Sequence, residues 1–306
     1  MAKLEKLNVA TGIYWVAVPE ADLYILCGCP ADSVKFLMKR GLIVEKEENG
    51  VVFETGPNAI LLSDVLIQKG SFSSLAEFPV MQILYRQGRL IPRHPNNTGV
   101  KPLLIGREEQ VNAQMQYIYR GNYGLISEEE ITATKASDNQ KDALIRWKQR
   151  FAFDCIKKSE EFLDSCIVKD EKVEVRNGLF IKRISFNVFE FSYKGETTSV
   201  DLNLKPSDCY EPPYKLGFHK TTREYFSVIH SGNGDGWDIN RPCMSSIIIY
   251  QGKIYLIDAG PNLIHTLKAL GIGVNEIEGI FHTHSHDDHF AGLSTLIRGD
   301  HRLKYF

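Results

Sequence analysis

From Phe281 to Gly292 the chain reads Phe-His-Thr-His-Ser-His-Asp-Asp-His-Phe-Ala-Gly, so four of its nine histidines fall within eight residues, beside two carboxylates. Imidazole and carboxylate are borderline-to-hard donors. They suit Zn2+, with Mn2+ or Fe as alternatives, and not a thiolate cluster. Where a strand ends, alternate side chains point the same way, so His284 and His286 face one point and Ser285 another. Asp288 and His289 follow at once. Two ligands from a loop and two from a helix start can flank a pair of ions. The plainer reading, a solvated loop with accidental histidines, would suit one His-x-His pair. Four histidines with an aspartate fixed between them favour ligation.

Placing these groups requires a strand before them and a helix after. Gly279-Ile280-Phe281 is apolar and predicts a short buried strand. Phe290, Leu293, Leu296 and Ile297 recur at helical spacing, which puts Asp288 and His289 at a helix start. Each imidazole then needs a supporting carboxylate or carbonyl to orient it.

Thr283-His284-x-His286-x-Asp288-His289-x-x-Gly292 resembles the signature of the metallo-β-lactamase superfamily. Upstream, Lys253 to Gly260 looks like the strand ending in Asp-x-Gly that precedes this signature, and a helix over 262–270, closed by Gly271, leads on. The resemblance implies an α/β fold of the αββα sandwich kind. It also implies that His284 and His286 hold one metal, Asp288 and His289 a second, with Asp258 supporting the site from behind. In a complete site two zinc ions would activate water for hydrolysis, with Asp288 the catalytic carboxylate. The segment 231–246, with its glycine-rich turn, Arg241 and Ser245-Ser246, is similar to the opening of the ribonuclease Z-like and cyclic-nucleotide phosphodiesterase branches. That makes Arg241 a candidate substrate contact. A plain turn between strands is the competing reading, and a calcium-binding loop is excluded because Pro242 stands where its last ligand would be. The family takes further ligands from its second half, whereas only His301 follows the signature here. The sequence therefore reads as the first half of a catalytic domain. His282 is an extra imidazole: a substitute ligand, a substrate contact or a packed strand residue supporting the site.

Composition describes an ordinary globular chain, with 43% hydrophobic and 24% charged residues. A net charge of −2 offers no electrostatic footprint for nucleic acid or anionic membrane. No stretch approaches membrane-spanning length and the N-terminus lacks a signal-peptide core, so a cytoplasmic location with reduced cysteines is expected. Cys27-Gly28-Cys29 lies in an apolar run and reads as buried thiols.

Two units are expected, 1–210 and 215–306, divided by the proline-rich segment 205–214. Tyr24 to Pro30, before a helix ending near Gly41, parallels Tyr255 to Pro261, before a helix ending near Gly271. This suggests a duplication whose first copy is degenerate and metal-free and whose second is incomplete. In that alignment Val52-Phe53-Glu54-Thr55 matches the signature strand, and Gly56, Asn58, Ile60 and Leu61 occupy the ligand positions. The alternative is a common strand–helix–strand unit. Ser137 to Gln140 predicts a capping box opening a long helix, with Leu144, Trp147, Phe151, Cys155 and Phe162 as a core stripe. Alternation over 173–204 predicts antiparallel strands around Lys194-Gly195. The expected function is hydrolysis of a small-molecule or nucleotide phosphodiester. The alternative is a binding or regulatory fragment completed by a homo-oligomer or a complementing C-terminal segment.

Overall fold

A computed structural model describes residues 3–70, 72–153, 156–297 and 302–306. Strands β1 (Glu5–Ala10), β2 (Ile13–Val18) and β3 (Leu23–Cys27) pair antiparallel. After α1 (Ser33–Lys39) the chain makes a hairpin, β4 (Glu45–Glu48) and β5 (Val51–Glu54), outside the main sheet. It then returns as β6 (Ala59–Leu61), parallel to β3. The short pair β7 (Ile67–Gln68) and β8 (Phe72–Ser73) leads to α2 (Glu77–Met81), β9 (Leu103–Gly106) and α3 (Glu108–Tyr123). Helices α4 (Glu128–Ala133), α5 (Asp138–Phe151) and α6 (Ser159–Phe162) precede β10 (Asp164–Ile167). The sheet order is β1-β2-β3-β6-β9-β10. Strands β11 (Val173–Arg176), β12 (Leu179–Ser185), β13 (Val188–Tyr193) and β14 (Glu196–Asp201) form an antiparallel sheet, with Lys194 and Gly195 turning at positive φ as their sequence predicts.

Strand parity sorts the core. Val16, Ile25, Cys27 and Leu61 face β11–β14 and meet Leu179, Ile181, Phe189 and Phe191. Leu26, Ile60 and Leu104 point the other way, to Leu37 of α1, Val80 of α2 and Met115 of α3. The layers are helix, sheet, sheet, and Cys27 and Cys29 are buried thiols.

The second body comprises β15 (Phe226–Gly232), β16 (Ser245–Tyr250), β17 (Lys253–Ile257), α7 (Leu263–Ala269), β18 (Ile277–Phe281), α8 (Asp287–Phe290), α9 (Leu293–Leu296) and β19 (Lys304–Tyr305). Its sheet runs in that order, and Ile247, Ile249, Leu256 and Ile280 pack beneath Leu263 and Leu267. The chain is thus a mixed α/β protein, as expected. No described helix is long and apolar enough to cross a membrane.

The two bodies share a plan. Residue n of β3 and α1 corresponds to residue n + 230 of β17 and α7. The left-handed positions agree too: Gly28 (φ 76) with Asp258 (φ 63), Asp32 (φ 61) with Asn262 (φ 62), and Gly41 (φ 69) with Gly271 (φ 64). The structure corrects the register read from sequence. Gly28 N donates to Leu61 O as Asp258 N donates to Phe281 O, so β6 is the counterpart of β18, and 52–55 is not. Val52-Phe53 belongs to the hairpin, whose charged β4 partner pairs with nothing else. Asn58, Ile60 and Leu61 therefore do not occupy ligand positions. Asn58 receives Tyr24 N and donates to Asp22 O, while Ile60 and Leu61 are core.

A second correction concerns α5. Gln140 Oε1 accepts from Ser137 N, the return half of the expected capping box, yet the helix ends at Phe151 and its stripe is uncovered, Trp147 being 78% exposed. Amphipathicity fixes a helix but not what covers it. Phe162 is buried in a separate helix, and Cys155 lies outside the described residues.

The bodies meet at Asp32 and Asn262, whose side chains hydrogen-bond each other. Fully buried Lys35 ties them further, its Nζ 3.3 Å from Asp32 Oδ1 and 3.2 Å from Arg241 O. Lys35→Met, which strands the Asp32 carboxylate, is expected to cost about 3–5 kcal/mol in urea unfolding. Trp147→Ala is expected to stay within about 0.5 kcal/mol; the reverse ranking would contradict these assignments.

Candidate metal centre

The site is built where β17 and β18 end side by side. Asp258 follows β17 in the left-handed region, which aspartate tolerates better than most residues. Its Oδ1 accepts Thr283 N at 2.8 Å, and its Oδ2 accepts Thr283 Oγ1 and His289 Nδ1, both at 2.8 Å. Burial alone would raise the Asp258 carboxyl pKa, but these hydrogen bonds hold it below the ordinary value. A close backbone approach locks the other side. Ala259 N donates to His289 O and Gly292 N to Ala259 O, both 2.8 Å. A Cβ on Gly260 would sit 2.5 Å from the Asp288 carbonyl, and one on Gly292 would strike the Gly260 carbonyl.

This frame gathers the predicted ligands. Ring centroids of His284 and His289 are 4.1 Å apart, and those of His284 and His286 are 4.9 Å apart. Asp288 Oδ2 lies 3.7 Å from His289 Nε2. Hydrogen bonds select the free nitrogens. His289 Nδ1 is committed to Asp258, which leaves Nε2. The single Thr283 hydroxyl proton goes to Asp258, so its oxygen accepts from His284 Nδ1 at 3.0 Å and leaves that ring's Nε2. Burial lowers the His284 and His286 pKa values, favouring the neutral form that binds metal. Burial also raises that of Asp288.

Donor chemistry and supporting bonds therefore fit a borderline divalent cation. Closure is incomplete: among the described residues, no three His, Cys, Asp or Glu side chains are placed to hold one ion. Of the other candidates, Asp258 holds Thr283 and the His289 ring. His282 points elsewhere, its Nδ1 paired with the Tyr305 hydroxyl and its ring against Phe290. The exposed Arg241 guanidinium is held by Asp238, with Nε 2.6 Å from Oδ2. His301 lies outside the described residues.

Sequence reasoning missed three groups. Asp287, between the ligands, is buried, with Oδ1 2.7 Å from the Tyr117 hydroxyl. That hydroxyl is also 2.7 Å from Ser285 O. Glu77 Oε2 accepts Asp287 N at 2.8 Å. Burial pushes the carboxyl pKa values of Glu77 and Asp287 well up. Asp287 was visible within the cluster; Glu77 and Tyr117 carried no local signal.

A family model matches this region of the chain. The family model described as "Anti-Pycsar protein Apyc1" matches residues 226–301. Ribonuclease Z of Clostridium kluyveri is 41% identical over 58 residues, covering 19% of this chain and 19% of that protein. Ribonuclease Z of Mycolicibacterium gilvum is 32% identical over 60 residues, covering 20% and 21%. A solved diphosphatase from the PhnP family is 28% identical, covering 22% of this chain and 33% of that one, with a TM-score of 0.20. The chain spans about a fifth of the length of the curated relatives it matches.

Asp258→Ala is expected to weaken zinc binding about 10- to 100-fold by calorimetric titration; an unchanged affinity would remove Asp258 from the site. Gly292→Ala should lower the melting temperature, because its Cβ would strike the Gly260 and Ala259 carbonyls, and should weaken zinc binding with it.

Proposed function

We propose that this chain, whose histidine signature resembles that of the metallo-β-lactamase superfamily, is a metal-dependent hydrolase of phosphodiester bonds. His284, His286, Asp288 and His289 would hold zinc, two ions in a completed site, with Mn2+ or Fe as alternatives. Bound there, the metal would lower the pKa of water toward neutrality and polarise the phosphoryl oxygen under attack. The protein's own part is orientation. Asp258 and Thr283 engage Nδ1 of His289 and of His284, which leaves each ring its Nε2 for a metal. Asp288, whose Oδ2 lies 3.7 Å from His289 Nε2, would orient the attacking water and accept its proton. Arg241 would serve a substrate phosphate by exchanging its Asp238 partner, since guanidinium meets phosphate and carboxylate in the same two-point geometry.

The convergence of the His284 and His289 rings over Asp258 is the observation that carries this reading. The ribonuclease Z relatives and the arginine after the glycine-rich turn favour a phosphodiester, a cyclic nucleotide or an RNA end, over a lactam or thioester.

One observation favours a second reading, a binding or regulatory module completed by a partner or a second copy. The outer face of the C-terminal sheet carries Phe226, Val228, Tyr250 and Phe281, all more than 40% exposed. The corresponding face of the N-terminal sheet is covered by β11–β14.

Zinc content and hydrolysis of bis-p-nitrophenyl phosphate separate the two. The hydrolase reading expects bound zinc and a rate that falls at least about 100-fold in His284→Ala and His289→Ala. Absent hydrolysis, together with hydrophobic-dye binding abolished by Val228→Lys and Phe281→Lys, would favour the second reading.

A further inference from the structure

Glu77 enters the metal loop from the other body, 210 residues away in sequence. It opens α2, is 1% exposed, and splits its carboxyl between two tasks. Oε2 accepts the Asp287 N–H, the first backbone donor of α8. Oε1 is buried and, among the described residues, has no hydrogen-bond partner. It lies 3.4 Å from His286 Nδ1. A buried acceptor left unpaired costs about 1–3 kcal/mol, so an orphan beside an imidazole calls for a reason.

Among the described residues of its own body, the His286 ring has no partner comparable to Asp258 for His289 or Thr283 for His284. Its supports come from the N-terminal body. Glu77 Oε1 stands beside Nδ1, next to Gly121 of α3. Gly121 leaves room for this arrangement, because a Cβ there would collide with Glu77 Oε1. Tyr117, one turn earlier on α3, braces the same loop through Ser285 O and Asp287.

We propose that Glu77 is a positioning residue for His286, so that the N-terminal body, which carries none of the predicted metal ligands, sets the orientation of one of them. The inference deepens the metal-centre reading and rests on it for its consequence. The contact itself can be tested without metal.

The experiment compares the full chain with Glu77→Gln, which keeps a hydrogen-bonding group at the same reach, and Glu77→Met, which keeps size alone. The first readout is the 15N chemical shifts of the His286 ring in the metal-free protein. The second is zinc affinity by chelator competition, with zinc alone as ligand. The wild type should show one dominant His286 tautomer and Glu77→Met a mixture. Zinc affinity should fall at least tenfold in Glu77→Met, with Glu77→Gln in between. Ser73→Ala, which removes a different bridge between the bodies, to Ala291 O, should leave the His286 shifts unchanged. If Glu77→Met does not fold, Glu77→Gln carries the test, and unchanged His286 shifts in it overturn the proposal. Wild-type shifts in Glu77→Met overturn it likewise. Failure of the wild type to bind zinc would instead sink the metal-centre reading, leaving the ring-shift comparison to decide the contact.

Discussion

One carboxylate, Asp258, organises the C-terminal body. It sits where two parallel strands end, in a left-handed conformation that costs a side chain something of order 1 kcal/mol. The counterpart in the N-terminal body is Gly28, which adopts that conformation freely. An aspartate kept where glycine would be easier is explained by what it holds: the backbone and hydroxyl of Thr283, and the His289 ring. Those bonds fix the start and end of the histidine loop together. Local strain retained at a point that aims ligands is the pattern expected of a functional site.

The comparison of the two bodies sharpens this. Both use the same strand, left-handed turn, helix and parallel strand. In the first, the loop after β6 leads to Ser63 and Asp64, which bond Asn187 of the covering sheet. In the second, the equivalent loop presents imidazoles. The same scaffold thus spends the end of its central strand on packing in one case and on donors in the other. The junction between them is polar and buried, with Lys35 and Asn262 both meeting the Asp32 carboxylate, and the histidine loop is pressed against Glu77 and Tyr117.

Much of this was legible in sequence because it is local. The strand ending at Phe281, the helix closed by Gly271 and the hairpin at Lys194-Gly195 follow from residue type and short spacing. What failed was tertiary. Val52-Phe53 has the apolar character of a sheet strand, yet β6, only three residues long, takes that place in the register. Trp147 continues a helical stripe that the chain leaves uncovered. The contacts of Glu77 and Tyr117 with the loop join residues far apart in sequence, and no spacing rule reaches that distance.

The central claim is that the side chains of His284, His286, Asp288 and His289 serve one cation pocket braced by Asp258. Zinc-edge X-ray absorption of the zinc-loaded chain addresses it directly. The account predicts a nitrogen and oxygen shell at about 2.0–2.1 Å with imidazole outer-shell scattering and no sulfur. A chain that takes up no zinc, or a spectrum dominated by sulfur or lacking imidazole, would contradict it.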